Sequence, residues 1–235
     1  MKLSRDLQRP MRYFIDQLLP PLVRDSQVFR QALKVIFYAD SETVWEFRKN
    51  FPSMTDDEVR DVYSRLSKHA LKVSTDINNR CLDKIKEEIT KKTVLDAGCG
   101  TGKLAELKGY SKYVGVDFVK HNLWRLVETD IASFHEMSVE KMSFNDDSFD
   151  LVICAHVLEH VRNPINVLME IRRLTKSEAI VILPRERSYK AGFNLHVNHY
   201  QYKWEIESLI SQVPCESSSI ELIDGDFYCK LKFKK

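Results

Sequence analysis

The chain has 235 residues, 43% hydrophobic and 30% charged, with 36 Lys and Arg against 34 Asp and Glu for a formal net charge of +2. That length and composition fit a globular domain with an appendage and exclude disorder by composition. The near balance of charge argues against nucleic acid as a partner. No apolar run reaches the ~20 residues of a membrane span, and the first residues form no signal-peptide core.

Up to about residue 92 the chain reads as helical. Met11, Phe14, Ile15, Leu18 and Leu19 recur at helical spacing until Pro20 and Pro21, and Phe29, Leu33, Ile36 and Phe37 form a second stripe. Thr55 before Asp56, Asp57 and Glu58 is a helix N-terminus signal, with Val59, Val62, Tyr63 and Leu66 on the following apolar side. A further helix is predicted to begin near Ser74 or Asp76 and to bury Ile77, Cys81, Leu82, Ile85 and Ile89. Residues 1–75 thus form a predicted helical cap, and residues 76–235 a second unit.

After Lys92, apolar runs at 93–96, 113–117, 149–154 and 179–183 alternate with helical patterns, the clearest at 163–174. That alternation predicts an α/β fold with a parallel sheet covered on both faces. Asp224 and Gly225 between runs at 219–223 and 227–233 predict a closing antiparallel hairpin. The five cysteines contain no Cys-x-x-Cys pair, which fits free thiols in a reducing, cytoplasmic setting.

Asp96-Ala97-Gly98-Cys99-Gly100-Thr101-Gly102 follows the first predicted strand, and Asp117 ends the next. Glycines there let the backbone turn sharply and approach a ligand, and an acid at Asp117 can receive ribose hydroxyls. The dinucleotide fingerprint would need its third glycine at Lys103, one residue later than Gly102. Cys99 reads as a small packing residue.

These segments resemble class I methyltransferases that use S-adenosyl-L-methionine (SAM). The stretch from Glu140 through Phe149 and Asp150 to Val157-Leu158-Glu159-His160-Val161 is similar to their type 11 subgroup. The resemblance implies a Rossmann-like seven-stranded sheet with an antiparallel last strand. It implies cofactor contacts from Asp96, Ala97, Gly98, Cys99, Gly100, Gly102, Asp117, Phe118 and Cys154, with Ser138 and Val139 flanking adenine. Ser138 stands where the subgroup usually has an acid.

His156, Glu159 and His160 share one face if a helix starts there. His156 is the first candidate for a base that removes an acceptor proton, with His196 and His199 as alternatives. A second reading is a divalent metal at Glu159 and His160, since certain ubiquinone-pathway O-methyltransferases carry a similar acid-x-x-Glu-His arrangement. The His-x-x-Glu-His form also occurs in zinc peptidases. A fourth reading has Glu159 and His160 only packing and capping a helix.

Arg185, Arg187 and Lys190 offer an anion clamp or a solvated loop. The stretch from Arg12 to Ser26 is similar to methyltransferases of bacterial surface-polysaccharide clusters. That likeness implies O-methylation of a small polar acceptor, such as a sugar, a nucleotide-linked sugar or a glycan precursor. Candidate acceptor contacts are Tyr13, Asp76, Asn78, Arg185 and Tyr200.

Overall fold

The computed structural model describes residues 18–24, 26–29, 41–67, 72–188 and 194–234. Tyr13 and most of the two N-terminal apolar stripes lie outside these residues, as do Tyr189 and Lys190.

The described N-terminal part is helical: α1 (Pro21–Arg24), α2 (Ser41–Asn50) and α3 (Asp56–Ser67). The α3 start follows its sequence signal. Thr55 Oγ1 accepts the Glu58 amide at 3.3 Å, and Glu58 Oε2 accepts the Thr55 amide at 2.7 Å, the reciprocal bonds of a capping box.

The next helix, α4 (Asn79–Glu88), begins later than Ser74 or Asp76 because Asn78 is its cap and accepts the Cys81 amide at 2.9 Å. Residues 72–78 instead form a non-helical strap. Thr101 pins it, donating to the Ser74 carbonyl at 2.6 Å and accepting the Ser74 amide at 2.9 Å.

Beyond α4, β1 (Thr93–Ala97), β2 (Lys112–Asp117), β3 (Ala132–Glu136), β4 (Phe149–Ala155), β5 (Thr175–Pro184), β6 (Ser217–Ile223) and β7 (Asp226–Lys232) build one sheet. Its order is β3-β2-β1-β4-β5-β7-β6. The first five strands are parallel, and β7 runs antiparallel to both β5 and β6. Asp224 and Gly225 turn the hairpin with positive φ, as their chemistry favours. The sequence reading missed β3, whose edge position leaves it half exposed and without an apolar run.

Alternate side chains of the central strands enter two cores. Leu95, Val114, Val152 and Val181 pack with α5 (Pro164–Leu174) and α6 (Lys203–Ile210). Val94, Tyr113, Leu151 and Ile180 face Cys81, Ile85 and Ile89 on the opposite side. Asn163 caps α5 through the amides of Ile165 and Asn166.

A third core joins the N-terminal helices to the sheet unit: Phe47, Phe51, Val59 and Val62 pack with Leu195, Val197 and Phe118. Arg162 reinforces it by donating to the Phe51 carbonyl at 2.7 Å. No described helix is long and apolar enough to cross a membrane.

Candidate active site

The carboxyl ends of β1, β2 and β4 open onto two adjoining cavities of about 320 Å³ and about 280 Å³. Both are lined by Tyr63, Gly98, Gly100, Asp117, Val119 and His156. Ligands collect at this edge because the parallel strands switch direction of connection there.

The glycine loop has its shape because the amides of Gly98 and Cys99 both reach the Val116 carbonyl, at 2.7 and 2.9 Å. Gly98 has φ +86°, and a Cβ on it would stand 2.1 Å from Val157 Cγ2. Gly100 has φ +52°, and a Cβ there would meet nothing within 4 Å. Its restriction is therefore conformational on the protein side and leaves the backbone open to a ligand.

Asp117 Oδ2 accepts the Gly100 amide at 2.8 Å, and its Oδ1 accepts the Val119 amide at 3.1 Å. Burial raises its pKa against these donors. Asp96 is 2% exposed and accepts the Tyr113 hydroxyl. Burial pushes it up to about 7, with Tyr113 opposing the rise and Asp117 adding to it.

One cavity is completed by Ser74, Thr75, Asp76, Lys103 and His121. The other is completed by Phe118, Ser138, Val139, Val157, His160 and α3 residues. Asp76, Asp96, Gly98, Cys99, Gly100, Asp117, Phe118, Ser138 and Val139 thus meet at the cavities as expected from the sequence.

Other expected contacts do not. Ala97 and Cys154 are fully buried in the core. Gly102 is a packing glycine, whose Cβ would come within 2.8 Å of Phe134. Asn78 is consumed structurally: its amide donates to the Ile223 carbonyl at 2.9 Å and to Asp226 at 2.8 Å while its oxygen caps α4. Arg185 binds the Gln201 carbonyl and bridges to Tyr200, which is buried among core residues. Neither lines the two cavities.

The histidines also part from expectation. His156 lies in the cavity wall at φ +55°, a strained turn directly after β4. Its Nδ1 faces Glu159 at 3.4 Å and its Nε2 faces Asp226 at 3.5 Å. Burial disfavours the imidazolium, but the two carboxylates outweigh it and carry the ring to about 10. The two carboxylates thus favour the protonated form of a ring that lines the cavity.

His199 receives the Arg48 guanidinium on Nε2 at 2.7 Å, and His196 contacts Glu186 through Nδ1. Neither lines the two cavities. His160 does, and burial lowers it to about 4 against the pull of Glu159. His160 Nδ1 lies 3.0 Å from the Tyr63 hydroxyl. Residues 157–162 form turns, and the following helix starts only at Pro164, so the 156/159/160 grouping comes from a turn.

Sequence reasoning missed Tyr63 as a cavity residue, because it belongs to an ordinary apolar stripe. It also missed Trp124, whose indole donates to the Gly100 carbonyl at 2.8 Å. No local pattern marks either role.

Residues 95–183 match the family described as "Methyltransferase domain". An uncharacterised protein of Methanocaldococcus jannaschii is 36% identical over 92 residues, 38% of this chain and 39% of that one. A ubiquinone biosynthesis O-methyltransferase of Dechloromonas aromatica is 35% identical over 119 residues, 46% of this chain and 51% of that one. The chain spans about half the length, or less, of these curated relatives.

Among solved structures, magnesium protoporphyrin IX methyltransferase from Synechocystis with bound SAH aligns at TM-score 0.57 and 13% identity, covering 77% of this chain and all of that one. A SAM-dependent methyltransferase from Aquifex aeolicus aligns at 0.55 and 17%, with the same coverage. Residues 95–183 are therefore similar to a methyltransferase domain, and the sheet has the fold of these solved structures.

Proposed function

We propose that the protein is a SAM-dependent methyltransferase that methylates an oxygen of a small polar acceptor, with residues 1–75 as a helical cap on residues 76–235. The observation that carries this reading is Asp117 gripping the Gly100 amide beside a backbone left open to the cavity.

When bound, SAM supplies a methyl group on a sulfonium, which makes the leaving group intrinsically good. Asp117 holds the ribose hydroxyls, Phe118, Ser138 and Val139 border adenine, and Asp96 faces the cofactor's ammonium, directly or through water. With Glu159 and Asp226 nearby, the carboxylates outnumber the His156 imidazolium, a field that favours a sulfonium over a pyrophosphate. Helices α2 and α3 exclude water, and the Tyr63 hydroxyl, shared by both cavities, orients the acceptor oxygen.

Ser74, Thr75 and Asp76 offer the hydroxyl and carboxylate contacts that suit a sugar, a nucleotide-linked sugar or a glycan precursor. Relatives described as O-methyltransferases support oxygen as the methylated atom.

Calorimetric titration with S-adenosylhomocysteine (SAH) and NADH, followed by a labelled-methyl screen across sugars, phenols and amines, tests the proposal. SAH binding with labelling of hydroxyl acceptors is expected. NADH binding without SAH binding overturns the cofactor, and labelling of amines alone overturns the oxygen acceptor.

A further inference from the structure

Thr101 stands between two glycines of left-handed backbone, Gly100 at φ +52° and Gly102 at φ +84°. The Gly102 amide donates to the Cys99 carbonyl at 2.8 Å, so Gly100 and Thr101 take the two central positions of a β-turn. Trp124 holds the turn by donating to the Gly100 carbonyl at 2.8 Å.

From this turn the Thr101 hydroxyl reaches the strap that precedes α4. It donates to the Ser74 carbonyl at 2.6 Å and accepts the Ser74 amide at 2.9 Å. One side chain thereby satisfies both backbone groups of a single residue, in the place of a strand partner.

The strap has a second fixed point. Ile77 is buried with Cys81 and Ile85, and Asn78 is bonded to the Ile223 carbonyl and to Asp226. Thr75 and Asp76 span the interval, and Thr75 Oγ1 accepts the Ile77 amide at 3.1 Å. Among the described residues, no other hydrogen bond ties residues 72–76 to the glycine loop or the sheet. The Ser74 hydroxyl and the Asp76 carboxylate likewise have no partner there. Ser74, Thr75 and Asp76 line the same cavity as Asp96, Gly100 and Asp117. A ligand that reaches the two buried acids therefore enters a space that the strap bounds.

We infer that Thr101 is a positioning residue, which clamps residues 72–76 against the bound cofactor and slows its release. The inference rests on the reading of this cavity as the cofactor site. Without the hydroxyl, the Ser74 amide and carbonyl must turn to water, and the strap loses its hold on the glycine loop. Valine has the shape of threonine and removes both bonds, whereas serine keeps the hydroxyl.

The test uses the full chain and SAH, with affinity from calorimetry and dissociation from stopped-flow tryptophan fluorescence. Thr101→Val should weaken SAH binding about fivefold to tenfold through faster dissociation, the scale of a lost hydrogen bond. Thr101→Ser should bind within about twofold of the parent. Hydrogen exchange across residues 72–78 in the unliganded protein should quicken in Thr101→Val and not in Thr101→Ser. SAH should slow that exchange in the parent. Melting temperatures check that both variants fold.

Parental SAH affinity in Thr101→Val overturns the inference. So does a Thr101→Ser that fails like Thr101→Val, or exchange across 72–78 that is indifferent to residue 101. A parent protein that binds no SAH overturns the cofactor reading instead, and the ligand-free exchange then tests the clamp by itself.

Discussion

The Tyr63 hydroxyl lies 3.0 Å from His160 Nδ1, joining the N-terminal helices to the turn after β4 across 97 residues of sequence. The Tyr63 ring also stands edge-on to both Phe47 and His160. One side chain therefore closes the cavity roof and holds the orientation of a cavity histidine.

Tyr63→Phe keeps those ring contacts and removes only the bond, so it should cost about 1 kcal/mol in urea unfolding. Tyr63→Ala removes the packing as well and should cost about 3 kcal/mol, with weaker SAH binding by calorimetry. Equal stabilities for the two variants would contradict a closing role for the ring.

The two cavity glycines should separate by experiment. Gly98→Ala pushes a Cβ into Val157 in a left-handed backbone and should destabilise the fold severely. Gly100→Ala meets open space and should cost only about 1–2 kcal/mol, from its positive φ. Its SAH affinity should nevertheless fall well beyond that loss, since the new methyl group occupies the cavity. Unchanged affinity would show that no ligand approaches this backbone.

Asp117→Ala should weaken SAM binding by about 1–3 kcal/mol, the scale of lost hydrogen bonds to a charged acceptor. Asp117→Asn retains one acceptor oxygen, enough for the Gly100 or the Val119 amide but not both, and should lose less. A calorimetric titration in which both variants bind like the parent would remove Asp117 from the ribose role.

Asp96 gives two opposite pH responses. Its folded pKa, about 7, exceeds its ordinary value, so the folded state binds the extra proton and the unliganded protein gains stability as pH falls from about 7 toward 4. Facing an ammonium requires the carboxylate, so SAM affinity should fall over the same interval. Thermal melts and calorimetry between pH 5 and 8, in parallel with Asp96→Asn, check both signs. The variant should flatten both responses.

Asn78→Ala should cost about 2 kcal/mol or more in chemical denaturation, since it removes a helix cap and a donor to the hairpin residue Asp226. Because Asn78 is absent from the cavity lining, the ratio of activities among acceptors should stay constant. A shift in acceptor preference would return Asn78 to the substrate site.

The sheet strands, the hairpin and the glycine loop were legible in the sequence, because each rests on chemistry local to a few residues. Apolar runs make buried strands, Asp224-Gly225 tolerates positive φ, and acid-x-Gly-x-Gly-x-Gly shapes a loop. The Thr55 cap was readable for the same reason. Strand β3 was not, because its place depends on pairing with β2 and not on its own pattern.

Only the tertiary structure decided which polar residues meet. His156 looks like a free base in one dimension, but the β6–β7 hairpin brings Asp226 within 3.5 Å of it, which favours the protonated ring. Asn78 looks available until the same hairpin claims its amide. Tyr63 and His196, read as a stripe residue and an alternative base, come close to His160 and Glu159 because side-chain contact depends on distances between segments, which residue order does not encode.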